Sequence, residues 1–146
     1  MKPIDQTKLL ERDGVGDCCR AAVASLLETP LEEVPEFEHI TSGQHMAVVS
    51  FVESLGYEYH GCLKFDGTNK EALKRQGPGI GGHFYASGQS PRRQEIHHAV
   101  VIDQEGNIAH DPHPSRDGVV GPMVVLLFKP LGKQEEKCLS NATKQH

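Results

Sequence analysis

The apolar positions of this chain change period part-way along it. Between Cys19 and Leu27 they fall at Cys19, Ala22, Val23, Leu26 and Leu27, the stripe of an amphipathic helix. That helix is predicted to begin near Asp17, a residue type that caps helix starts, and to run to about Glu28. Thr29-Pro30-Leu31-Glu32-Glu33-Val34 reads as a short turn with proline at its first position, stopped by Pro35. A second helix fits Gln44 to Leu55, with Met46, Val49, Val52 and Leu55 inward and Gly56 as its stop.

Beyond Gly56 the period shortens. Tyr57 to Leu63 alternates as a strand does, and a short helical piece follows around Asn69–Arg75. Gly77-Pro78-Gly79-Ile80-Gly81-Gly82 is a loop. His83–Ser87, Ile96–Ile102, Ile108–His110 and Val119–Phe128 are predicted strands, separated by turn signals such as Glu105-Gly106-Asn107. Helices first and strands second predict an α+β domain over residues 1–130, its N-terminal helices packed on an antiparallel sheet. After Pro130 the composition turns polar, which predicts a flexible tail over 131–146.

Composition narrows the class. The 146 residues suit one domain, and the 15 basic and 20 acidic residues give a net charge of −5 with no basic block. Duplex nucleic acid is therefore not an expected partner. No apolar run is long enough to cross a bilayer, and Met1-Lys2-Pro3-Ile4-Asp5-Gln6 lacks the apolar core of a signal peptide, so a cytoplasmic, reduced protein is expected. Of the four cysteines, Cys18 and Cys19 are adjacent and Cys62 and Cys138 are scattered, which argues against a disulfide framework. No CxxC pair suggests a zinc ribbon or a redox motif. No cofactor is expected, and the oligomeric state is open.

The chemistry concentrates at Gly16-Asp17-Cys18-Cys19-Arg20-Ala21-Ala22. A glycine-bearing turn delivers a cysteine to the first turn of a helix, where unsatisfied N–H groups favour a thiolate. Cys19 lies on the apolar stripe and is expected inside. Cys18 is rotated about 100° away, in line with Ala21, Ala22 and Ser25, small residues that let another layer approach. Cys18 is thus the expected nucleophile. The expected base is at the start of the strand His97-His98-Ala99-Val100-Val101-Ile102, where alternation allows either histidine to face the thiol. Asp111 ends the next predicted strand, thirteen residues beyond His98, placed to hold the imidazole through its Nδ1–H. Gln6 and the Cys18 N–H are candidate oxyanion donors, while Asp17 is expected to cap the helix.

At these residues the chain resembles a family of small papain-like cysteine hydrolases, many of them encoded by bacteriophages. The likeness is carried by Gly16-Asp17-Cys18 before an alanine-rich helix, Ala86-Ser87-Gly88, Ser90-Pro91-Arg92, His98-Ala99-Val100-Val101 and Asp111-Pro112-His113-Pro114-Ser115. It spans roughly residues 5 to 128 and departs at Cys19, often a large apolar residue there, and at the longer turn Arg93-Gln94-Glu95-Ile96. The resemblance implies a papain-like fold with Cys18, His98 and Asp111 as its triad. It also implies a peptide, protein or small-molecule amide as substrate and, if phage-encoded, a place in the host cytoplasm.

Two other readings compete. His97, His98, His110, Asp111 and His113 lie close together and carry zinc-type donors, but Pro112 and Pro114 impose an extended turn rather than a helical ligand spacing. Ser87, Ser90, Arg92 and Arg93, with His113 nearby, combine hydroxyls and guanidiniums in a way that suits carboxylate or phosphate. On that reading the protein is an idle papain-fold binder that sequesters an anionic small molecule such as a signalling nucleotide, or blocks a protein partner, in the manner of a phage anti-defence factor.

Overall fold

A computed structural model describes residues 1–40 and 42–131, so the predicted tail beyond Leu131, with Cys138, lies outside the described residues. The elements run α1 (Leu10–Asp13), α2 (Cys18–Leu27), α3 (Gln44–Ser54), β1 (Tyr57–Phe65), α4 (Lys70–Lys74), β2 (His83–Gln89), β3 (His97–Asp103), β4 (Ile108–His110) and β5 (Val120–Pro130). Short 3-10 turns at Leu31–Glu33 and Phe37–His39 bridge α2 to α3. The strands form one five-stranded sheet in the order β1-β5-β2-β3-β4, every pair antiparallel. The α+β class read from the sequence is the class observed.

The sheet is buried on both faces at its centre, because alternation on β2, β3 and β5 sends large apolar side chains both ways. Tyr85, Ala99, Val101, Leu126 and Phe128 pack with α2 and α3. Phe84, Ala86, Val100, Ile102, Val125 and Leu127 pack with Phe65 of β1 and Leu73 of α4 on the other side.

The stripe predicted on α2 proves too narrow. Every residue from Ala21 to Leu26 is buried. The small face formed by Ala21 and Ser25 is covered by the N-terminal segment, in which the N–H groups of Lys2 and Ile4 donate to the Ser25 carbonyl (3.0 Å) and hydroxyl (2.9 Å). On α3 the inward positions are Val48, Val49 and Val52, whereas Met46 and Leu55, expected inside, are 58% and 48% exposed. The helix is a face shorter at each end than its pattern suggests, and Phe51 supplies the remaining contact by packing on Phe37 with ring centroids 6.1 Å apart. Helix α1 was not anticipated. It is a single turn closed by Gly14 in the left-handed conformation at φ 78°.

Candidate functional site

Cys18 opens α2, and its position is set from behind. Asp17, expected to cap the helix, makes no such bond. Its buried carboxylate turns back instead, accepting the N–H groups of Thr7 and Lys8 (both 2.8 Å) and the Thr7 hydroxyl (2.6 Å). A bound carboxylate in a buried place needs such donors to offset desolvation. The helix start is capped from elsewhere. Glu38, in the second 3-10 turn, accepts the Arg20 N–H at 3.0 Å on Oε1, and the backbone N–H groups of Glu38 and Cys19 lie near its carboxylate. Burial pushes its carboxyl above the usual carboxylate range against these bonds.

Strand β3 brings His98 to the thiol. Of the two adjacent histidines, His97 is exposed and His98 is buried. The pairing of β4 with β3, which sets His110 opposite Val101, delivers Asp111 alongside. His98 Nε2–H donates to Asp111 Oδ1 at 2.6 Å. The sequence reading had Nδ1 in this role, and the structure reverses the ring. With Nε2 committed to the acid, Nδ1 is the nitrogen left for Cys18, which lines the same cavity as His98 and pushes its imidazole up. Burial works against a charged ring here, but Asp111 and Cys18 outweigh it and push His98 up to about 9.

Asp111 is held on both oxygens. Oδ1 also accepts the His113 N–H (2.9 Å), and Oδ2 accepts the Gly118 N–H (2.6 Å). Burial raises its carboxyl, and the His98 bond with these backbone donors more than reverses that, leaving it below the usual range. Arg116, in the left-handed region at φ 55°, donates to the carbonyls of Asp111 and His113 and forms a two-pronged pair with Asp5 at 2.7 and 2.9 Å. The N-terminal segment closes this turn too: Gln6 N–H donates to the Pro112 carbonyl (3.1 Å) and His110 Nε2–H to the Ile4 carbonyl (2.9 Å).

Cys19 is buried, as the apolar stripe indicated, with its sulfur 3.0 Å from the Tyr85 hydroxyl. Burial raises its thiol well above the ordinary value. Cys62 is exposed on β1.

Cys18 stands between two openings. A cavity of about 280 Å³ is shared by Cys18 and His98 with Gln6, Ser90, Arg92 and His113. A smaller one, of about 70 Å³, adds Ser87 and His45, which are hydrogen-bonded at 3.2 Å. Gln6, Ser87, Ser90, Arg92, His98 and His113 therefore line one or other cavity with Cys18, and Asp111 joins the site through His98. Gln6 is oriented by donating one amide hydrogen to the Lys8 carbonyl at 2.8 Å, and Arg92 by donating to the Ser115 hydroxyl at 3.0 Å. Among the described residues no three His, Cys, Asp or Glu side chains converge as a metal-ligand group. Glu38 and His45 were missed in the sequence. The only available signal was the first turn of α2, whose N–H groups required an acceptor that its own residues do not supply.

No protein-family model matches the chain, and no curated protein or solved structure matches it either. Among the described residues, no helix is long and apolar enough to cross a membrane.

Proposed function

We propose that the chain is a papain-like cysteine hydrolase that cleaves an amide, peptide or related acyl bond through Cys18, His98 and Asp111. The observation that carries this reading is the order of contacts at one point. A thiol on the first turn of a buried helix shares a cavity with an imidazole whose Nε2 is bound at 2.6 Å to a carboxylate held by two backbone N–H groups. The topology supports the fold half of the proposal, since α2 lies across the sheet against β3 and β2.

In the reaction the Cys18 thiolate attacks the acyl carbon, forming the C–S bond while the carbonyl electrons move to oxygen. The Cys18 N–H and the second amide hydrogen of Gln6 receive that oxyanion. The intermediate collapses with cleavage of the acyl–leaving-group bond, and the leaving group takes the proton from His98 Nδ1. His98 then removes a proton from water. The resulting hydroxide equivalent attacks the thioester, the C–S bond breaks, and acid and thiolate are released. Asp111 stays ionised throughout and holds the ring.

The test is the pH dependence of alkylation by iodoacetamide, with each cysteine counted by peptide mass spectrometry. Cys18 is expected to react faster than exposed Cys62 at the same pH, and to slow on His98→Ala. Exposed Cys62 gives an internal standard, and buried Cys19 stays unmodified. Labelling of Cys18 no faster than Cys62 at every pH overturns the proposal and leaves the binding-protein reading in its place.

A further inference from the structure

The larger cavity is electrically lopsided. Arg92 and Arg93, from the turn between β2 and β3, line it and do not line the smaller one, whereas Glu38 borders both. The acid borders the part shared with the smaller cavity, where its Oε1 accepts the Arg20 N–H at 3.0 Å. The guanidinium of Arg92 donates to the Ser115 hydroxyl at 3.0 Å, and the Arg92 backbone N–H donates to Ser90 Oγ at 3.2 Å. The turn itself is fixed by bonds from Ser90 N–H to the Ile96 carbonyl (2.8 Å) and from Ile96 N–H to the Arg93 carbonyl (3.2 Å). Two guanidiniums on a braced turn, beside a wall of Leu10, Val15 and Ile96, form a cationic end on a partly apolar cleft. Guanidinium forks match carboxylate geometry.

We propose that this end of the cavity is a subsite for a carboxylate, so that the substrate carries a negative charge a few bonds from the acyl carbon that Cys18 attacks. This rests on the proposed hydrolase reading for its meaning, and it can be measured apart from it. The lengthened turn Arg93-Gln94-Glu95-Ile96, one of the two places where the chain departs from the pattern it resembles, then becomes the element that sets specificity.

The experiment compares alkylation of Cys18 by N-iodoacetylglycine and by its neutral amide, at low ionic strength and one pH. In both reagents sulfur displaces iodide, so the chemistry at the thiol is the same and only the distant charge differs. The acid is expected to react several-fold faster than the amide. Arg92→Gln and Arg93→Gln are each expected to cut that ratio by about two- to fivefold, the range of one exposed charge pair. Added salt should compress it further. Charge on His98 favours the acid in every variant alike and cancels in the comparison. A ratio near one in the native protein, or one that neither substitution lowers, overturns the subsite. The amide rate relative to free cysteine reports the thiol alone, so an inactive nucleophile and an absent subsite give different results.

Discussion

His98 and Asp111 meet in a hydrogen bond of 2.6 Å at a point where their side chains are only 4% and 3% exposed. Little solvent reaches the pair, so each partner depends on the other for the stability of its charge. Asp111→Asn tests this. An amide accepts on one side only, so it fails either the Gly118 N–H or the His98 Nε2–H. Presenting its NH2 to the ring forces the wrong tautomer. Cys18 alkylation at pH 6 is expected to fall at least about tenfold, and turnover of a substrate about 10²–10⁴-fold.

The same pair fixes the response to pH. His98 rises from 6.5 to about 9 on folding, so its contribution to stability is complete below 6.5 and is lost as pH climbs through 9. Asp111 is lowered from 3.8, so its contribution is present above 3.8 and fades as pH falls through its lower folded value. The melting temperature should therefore be highest between these limits and decline from pH 6.5 to 9. Hydrolysis should fail near pH 9 as the imidazolium deprotonates, while alkylation, which needs only the thiolate, continues.

Since Cys18 is one cause of the raised imidazole, Cys18→Ala should lower the His98 value from about 9. A histidine titration followed by NMR reads this directly. An unchanged value would show that the ring owes its shift to Asp111 alone.

Asp17 is predicted to act on Cys18 through the backbone. Asp17→Ala leaves the N–H groups of Thr7 and Lys8 without their acceptor and should cost about 2–4 kcal/mol in a denaturant melt. Asp17→Asn, which keeps one acceptor, should cost less. If Cys18 labelling in the folded Asp17→Ala protein matched the native rate, the turn would not position the thiol.

Gly79 tests the core away from the site. At φ +61° an added Cβ would stand 2.5 Å from the His83 carbonyl oxygen and 2.7 Å from the Phe84 ring. Gly79→Ala should destabilise the fold by about 2 kcal/mol or more while the relative labelling of Cys18 and Cys62 in the native state is preserved.

Much of this was legible in the chain because periodicity and turn chemistry are local. The α2 stripe, the β3–β4 hairpin around Glu105-Gly106-Asn107 and the burial of Cys19 follow from residues within a few positions of one another. The choice between His97 and His98 did not, since it turns on which ring meets Asp111 across strands. Nor did the role of Asp17: its residue type favours capping, but the Thr7 hydroxyl and two N–H groups from residues nine and ten positions earlier outbid the helix. Glu38 then took the vacant cap, a contact 18 residues distant that no window could show. Met46 and Leu55 misled because helical spacing marks a face without saying how far the neighbouring layer extends.

The strap formed by residues 1–8 has a bearing on when the thiol becomes dangerous. It ties the start of α2 to the acid turn through bonds that span 106 residues from His110 to Ile4 and 111 from Arg116 to Asp5. Contacts so far apart in sequence carry a large closure entropy and tend to be made late. An unfinished or partly folded chain thus holds Cys18 without a fixed imidazole beside it, and its sulfur behaves as an ordinary thiol. On the proposed reading, the nucleophile and its base are brought together only when both ends of the domain have met.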